Sequence, residues 1–289
     1  MNNPIFIQHG RIPPGETKTG IAVDKMSDIF ISAKIRPPRI SGILKRRRLL
    51  DDLFSHNEKK LIVIMGQAAQ GKSTLAASFV RTCPDPFAWV NLGAEESNPV
   101  NLFRVIVQAI QHAFPQSDFS GIYRYIAMDL GPRLEEPLYH GWVNALFRIV
   151  PSRIQIVLDG LERLSPSTPS FRLIRILIEE SHTKMRFLVL SRTEPPWDVR
   201  NMQIKQEAIL IVNEQLAFTA SETENFFHVL HNLHLPAAQL MRIHELTEGW
   251  IGGLLLFSEA LNPTTSLNLL RTTCGAIKTI KHNILYLNF

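Results

Sequence analysis

Three observations predict an α/β fold, with a mostly parallel sheet sandwiched by helices and a small all-helical domain after it. Five short apolar runs alternate with stretches of helical period, the first run leads directly into a glycine-containing turn and a helix, and strand-like runs stop after residue 213. The runs are 61–65 (LIVIM), 87–91 (FAWVN), 154–158 (IQIVL), 187–190 (FLVL) and 209–212 (ILIV). Their branched and aromatic content suits parallel strands buried on both faces, joined by right-handed helical crossovers.

In chain order, residues 1–33 are Pro, Gly and polar rich at 11–20 (RIPPGETKTG) and hold no sustained period, so an extended N-terminal arm is expected. The stretch 33–50 then carries Lys34, Arg36, Arg39, Lys45, Arg46, Arg47 and Arg48 with no acid, more positive charge than the whole chain's net +5, before LLDDLF starts a short helix. After the second apolar run, Leu102, Val105, Ile106, Ala109, Ile110 and Ala113 recur at the three- and four-residue spacing of a helix packed on a sheet. Residues 170–182 repeat that arrangement. Beyond 213, Phe218, Phe226, Phe227, Leu230 and Leu233 lead to a break at Pro236 and to helical stretches near 237–247 and 250–260. The chain thus divides into an arm (1–33), a sheet domain (34–213) and a helical domain (214–289), with no internal repeat of 20 to 50 residues.

Composition excludes several classes. With 289 residues, 45% of them hydrophobic and 20% charged, the chain can bury a large core without staples. Cys83 and Cys274 stand far apart with no CxxC spacing, which argues against a disulfide framework or a cysteine zinc site and fits a reducing cytosol. No apolar run approaches the roughly 18 residues of a membrane helix, and the N-terminus lacks the pattern of a secretion signal, so a cytoplasmic protein is expected. His228, His231 and His234 recur every three residues, but no carboxylate or cysteine completes a ligand set, and a polar helix face is the expected reading. The basic stretch lacks interleaved aromatics for stacking on bases, so direct DNA binding by this chain alone is not expected.

Chemistry concentrates at Gly66, Gln67, Ala68, Ala69, Gln70, Gly71, Lys72 and Ser73 (GQAAQGKS), a full GxxxxGK[ST] standing between the strand LIVIM and the helical run TLAASFV. Such a P-loop turns its backbone N–H groups inward around phosphate oxygens, and the positive end of the following helix adds to that field. Lys72 would bridge the β- and γ-phosphates and Ser73 would ligate magnesium, with Thr74 beside them at the helix start. The fold is therefore expected to be a P-loop NTPase.

Magnesium also needs a carboxylate from the end of a neighbouring strand, and IQIVLD supplies Asp159. The 93 positions between Gly66 and Asp159 leave room for an inserted strand, for which FAWVN is the candidate. Glu162 could orient or deprotonate the attacking water, or be a solvated acid at a helix start. Arg192 follows the strand FLVL to the same sheet edge, where it could sense a γ-phosphate or form a surface salt bridge.

Together these residues resemble the nucleotide-binding region of MalT-like, LuxR-type regulators of the STAND class. The resemblance covers about residues 34–260 and rests on KIRPPRISGILKRRRLLDDL, FAWVNLGAEESNP, LDGLERL, VLSRTEPP, EQLAFTASETENFF and TEGWIGGLLL in addition to the P-loop. It implies ATP held between an NTPase and a helical domain, ADP in the resting form, slow hydrolysis that resets a switch, and protein partners or self-association in the ATP state. It also implies that Arg46 and Arg48 stand at the family's RxRL beside the nucleotide, and that Lys205 lies near a basic position following the sensor arginine. Two departures stand out: Asp159 is followed by Gly160, with Glu162 later, as in NACHT-type DGxD patterns, and Ile251 occupies a position often held by a nucleotide-contacting proline. About thirty residues follow TEGWIGGLLL, too few for a repeat superhelix and without the pattern of a helix-turn-helix, so a truncated family member is expected. The alternatives are a nucleotide-binding interaction module without hydrolysis, or a small-molecule P-loop kinase. The kinase is disfavoured by the lack of an arginine-rich lid, and ATP is preferred to GTP because no NKxD motif is present.

Overall fold

The computed structural model describes residues 32–127, 136–181 and 184–261. The expected arm lies almost wholly outside the described residues, as does the stretch 262–289 with Cys274. Five strands, β1 (Leu61–Met65), β2 (Phe87–Asn91), β3 (Ile154–Asp159), β4 (Met185–Ser191) and β5 (Ala208–Ile211), form one sheet in the order β2-β3-β4-β1-β5 with every pair parallel. The α/β fold read from the sequence is thus the one observed. FAWVN precedes β3 in the chain but forms the sheet edge, and the strand that separates β1 from β3 in space is β4.

Strand ends differ from the apolar runs for identifiable reasons. β4 begins at Met185 because Met185 and Arg186 pair with Ile154 and Gln155. β3 extends to Asp159, whose carbonyl accepts the Leu92 N–H at 2.8 Å. β5 stops before Val212, whose N–H is taken at 2.9 Å by the Gln215 side chain, so the backbone turns into a short helix instead of continuing the ladder.

Both faces of the sheet are covered, as its unbroken apolar strands require. Ile62, Ile64, Trp89, Val157 and Leu188 pack beneath α1 (Arg47–Ser55) and α2 (Lys72–Thr82), which bury Leu49, Leu53, Leu75 and Phe79 there. Leu61, Val63, Val90, Ile156 and Phe187 face the larger core formed with α3 (Pro99–Ala113), α4 (Ser120–Ala127), α5 (Glu136–Ile149), α6 (Ser170–Glu179) and α7 (Val199–Ile204). Helix α3 starts where Asn98 accepts the Val100 N–H at 2.9 Å and Pro99 occupies the first turn, so neither costs a helical donor.

After β5 the described residues form helices only, α8 (Asn213–Leu216), α9 (Ala220–Asn225) running into a π-helical turn (Phe226–Leu230), α10 (Ala237–Thr247) and α11 (Ile251–Leu261). Phe218, Phe226, Phe227, Ile243, Leu254 and Phe257 form a core of their own, joined by Leu44 from the basic stretch. The buried Arg46 guanidinium ties the two parts together. It donates to the Leu216 carbonyl at 2.6 Å, the Ala217 carbonyl at 3.0 Å and Glu222 Oε2 at 3.2 Å, and lies 4.5 Å above the Phe218 ring. No helix among the described residues is long and apolar enough to cross a membrane.

Candidate functional site

Parallel register aligns the C-terminal strand ends along one edge, with Met65 opposite Ser191, Asp159 opposite Leu190 and Asn91 opposite Asp159. Whatever follows β1, β3 and β4 therefore emerges side by side. The P-loop begins there, Gly66 N–H donating to the Ser191 carbonyl at 3.1 Å. Its backbone enters the left-handed region at Ala69 (φ 55°) and Gly71 (φ 79°). Gly71 has a second constraint, because a Cβ there would lie 2.7 Å from Ile251 Cδ1. The turn at Ala68 and Ala69 closes through Gln70 N–H onto the Gln67 carbonyl, and among the described residues no hydrogen bond to a protein acceptor engages the backbone N–H groups of Ala68, Ala69 and Gly71. Together with the first turn of α2 they form a row of free donors of the kind that holds anions.

Lys72 folds back across this loop and donates to the Gly66 carbonyl at 2.7 Å and the Gln67 carbonyl at 2.9 Å. Burial lowers its pKa from the ordinary lysine value, with Glu162 opposing and Arg192 adding to the shift. At the end of β3, burial pushes the Asp159 carboxyl upward, while the Ser73 hydroxyl and the charge of Arg163 act against that rise. A hydroxyl and a carboxylate lining one cavity beside a row of N–H donors is a donor set that fits a divalent cation bridging to phosphate.

Glu162 lies in a single 3₁₀ turn (Leu161–Arg163) after β3, and its carboxylate meets Arg192 after β4, through the backbone N–H at 3.2 Å and Nε at 3.1 Å. Lys72, Ser73, Thr74, Asp159, Glu162 and Arg192 thus line one cavity of about 290 Å³ with the loop from Ala68 to Gly71. Gly71, Thr74 and Ile251 also line an adjoining apolar cavity of about 170 Å³, whose walls include Leu44, Leu50 and Phe218.

The remaining expected residues are placed differently. Arg46 lines the apolar cavity, but its guanidinium is engaged by the helical segment; Arg48 likewise reaches the carbonyls of Gln215 at 3.0 Å and Ala217 at 3.3 Å. Lys205 lies in a separate cleft with Lys60 and Trp197. His228 and His234 contact one another, and no group of three or more potential metal-ligating His, Cys, Asp or Glu side chains occurs among the described residues.

Three residues hold the loop in ways that its motif does not announce. Asn213 accepts the Gln67 N–H on its side chain and the Gln70 amide on its carbonyl, both at 3.3 Å. Trp250 Nε1 donates to the Ala68 carbonyl at 2.9 Å, and Gly252 N–H to the Ala69 carbonyl at 3.1 Å. The glycines around Trp250 mark a close approach in the sequence, but nothing there says that the P-loop is what they approach.

Comparison with known proteins agrees with this geometry. Residues 41–192 match the family described as Nephrocystin 3, N-terminal, a match that takes in the P-loop, Asp159, Glu162 and Arg192. The chain is 24% identical over 238 residues to the HTH-type transcriptional regulator MalT of Vibrio cholerae, covering 80% of this chain and 25% of that protein. It is 24% identical over 237 residues to MalT of Yersinia enterocolitica, again over 80% of this chain and 25% of the relative. The chain therefore spans about a quarter of the length of the curated relatives it matches. Among solved structures it resembles a signal transduction ATPase with numerous domains (STAND) carrying a tetratricopeptide repeat sensor, from Pyrococcus horikoshii, at TM-score 0.56 and 16% identity over 82% of this chain and 33% of that one. It also resembles a Walker-type ATPase of Pyrococcus abyssi at TM-score 0.54 and 16% identity, over 87% and 77% of the two chains. From its P-loop, the parallel sheet that carries it and the extent of the family match, the chain belongs to the Nephrocystin 3, N-terminal family, with a P-loop ATPase fold similar to the MalT and STAND proteins.

Proposed function

We propose that this chain is an ATP-binding molecular switch with slow hydrolysis, the nucleotide-binding part of a MalT-like signalling or transcriptional regulator. One observation carries the reading: the free N–H groups of the P-loop, the Ser73 hydroxyl, the Asp159 carboxylate and the Glu162–Arg192 pair share one cavity, and an apolar cavity adjoins it through Gly71, Thr74 and Ile251. The loop 66–73 would hold the phosphates, with Lys72 transferring its ammonium from the Gly66 and Gln67 carbonyls to phosphate oxygens. Ser73 and Asp159 would hold magnesium, which when bound neutralises charge on the phosphates. The apolar cavity suits a flat base, and adenine is favoured because the sequence has no guanine-reading NKxD. Residues 34–213 would act as the NTPase unit and 214–289 as the helical unit, with Arg46 and Arg48 joining them.

In this reading Arg192 senses the terminal phosphate and Glu162 orients water for attack once its carboxylate leaves Arg192. A second reading, binding without turnover, is favoured by the engagement of Glu162 in that pair. Self-association in the ATP state and control of a transcriptional output belong to the proposal by similarity to the MalT regulators. Release and identification of the nucleotide carried by purified protein, followed by phosphate-release assays, test it. ADP or ATP with slow turnover supports the switch, ADP or ATP without turnover supports the second reading, and failure to bind adenine nucleotide in magnesium overturns both.

A further inference from the structure

We propose that Trp250 is a positioning residue for the phosphate-binding loop, holding its backbone donors toward phosphate through the indole N–H. This inference rests on the nucleotide-binding reading above and adds to it how the helical segment acts on that site. The chain between α10 and α11 turns sharply at Glu248 (φ 49°) and Gly249 (φ 71°). The turn is pinned to the start of the helical segment, because Gly249 accepts the Phe218 N–H at 2.9 Å and a Cβ on Gly249 would lie 2.2 Å from the Phe218 carbonyl oxygen. Trp250 follows, 7% exposed, with its Nε1–H on the Ala68 carbonyl, and Gly252 N–H takes the next carbonyl, Ala69.

Two adjacent loop carbonyls are therefore held by residues 250 and 252. In a trans peptide the C=O and the following N–H point in opposite directions, so fixing the carbonyls of Ala68 and Ala69 turns the N–H groups of Ala69 and Gln70 away from Trp250 and Gly252. Of these, the Ala69 N–H belongs to the row without a protein acceptor, while the Gln70 N–H closes the turn onto Gln67. Ala69 is also held left-handed, a conformation unfavourable for alanine, so its peptide orientation depends on outside contacts. The helical segment thus acts on the loop backbone itself, and the coupling is reciprocal: phosphate on the loop favours the docked position of Trp250, and docking favours phosphate.

Packing alone would require only the ring. Substituting Trp250→Phe keeps an aromatic ring and removes the donor, and Gly252→Ala supplies an independent perturbation, since its Cβ would lie 2.5 Å from the Trp250 ring and displace the indole. The full chain is loaded with a fluorescent ADP in magnesium, and unlabelled ADP, inorganic pyrophosphate and adenosine are used as competitors. In Trp250→Phe, ADP and pyrophosphate are expected to weaken about threefold to tenfold, the scale of one hydrogen bond, with adenosine unchanged. Gly252→Ala is expected to show the same selective loss, and it serves as the test where Trp250→Phe does not fold. Wild-type pyrophosphate affinity in both variants overturns the inference, as does an equal loss for adenosine and pyrophosphate, which would make Trp250 a packing residue. Wild-type protein that binds neither ADP nor pyrophosphate overturns the nucleotide-binding reading and this inference with it, whereas wild-type binding that both variants retain overturns this inference alone.

Discussion

The carboxylate of Glu162 accepts the backbone N–H of Arg192 at 3.2 Å and forms an ion pair with its Nε at 3.1 Å, joining the residues that follow β3 and β4 across the mouth of the phosphate cavity. The Arg192 side chain is 45% exposed, so the pair contributes at most about 1 kcal/mol and can open at little cost. A terminal phosphate offers the guanidinium a stronger, doubly charged partner. Substituting Arg192→Ala should therefore weaken ATP about fivefold to tenfold while leaving ADP nearly unchanged, as read by competition binding. Equal losses for the two nucleotides would contradict a sensor role.

Turnover isolates Glu162. Replacing it with Gln retains the shape and removes the base, so phosphate release should slow by about a hundredfold with ADP affinity preserved. Unchanged turnover in Glu162→Gln would remove the role assigned to this carboxylate and leave nucleotide binding standing.

A pH effect should come from the contact that joins the two parts of the chain. Burial raises the Glu222 carboxyl, but the Thr219 N–H and the Arg46 and Arg48 guanidiniums outweigh it, and the net shift is downward. A carboxylate with a depressed folded pKa binds fewer protons in the folded state, so its contribution is complete above the ordinary Glu range and is lost as pH falls through the folded value. Substituting Glu222→Gln should accordingly destabilise the chain by about 1–2 kcal/mol at neutral pH, through the lost ion pairs and weakened capping of α9. In urea unfolding the gap between wild type and variant should close toward acid pH; a gap constant from pH 7 to below the carboxylate range would contradict the assignment.

Much of the fold was legible because the five strands are continuous apolar runs and a parallel sheet buries both of their faces. The ends of β4 and β5 were not, since Met185 and Arg186 become strand only by pairing with β3, and Val212 leaves the sheet because the Gln215 side chain takes its N–H. Within the site, the P-loop is contiguous, and Asp159 and Arg192 each follow an apolar run, so strand direction alone brings them to one edge. Trp250 and Asn213 could not be read in that way. They stand 182 and 146 residues from the loop atoms they contact, and only the packing of the helical segment brings them there. Arg46 shows the converse: a basic run suggests an exposed charged face, whereas this guanidinium is buried on the carbonyls of Leu216 and Ala217, and Lys34 of the same run pairs with Glu95 and Glu96.

The central claim is that the loop 66–73 binds nucleotide phosphate through its backbone donors and Lys72. Calorimetric titration of ADP with magnesium into wild-type protein and Lys72→Ala tests it most directly. The expected result is saturable binding by wild type and a loss of about a hundredfold or more in Lys72→Ala, since two charge-assisted contacts to phosphate oxygens disappear. Equal binding by the two proteins would contradict the assignment of Lys72, and no binding by either would contradict the nucleotide site itself.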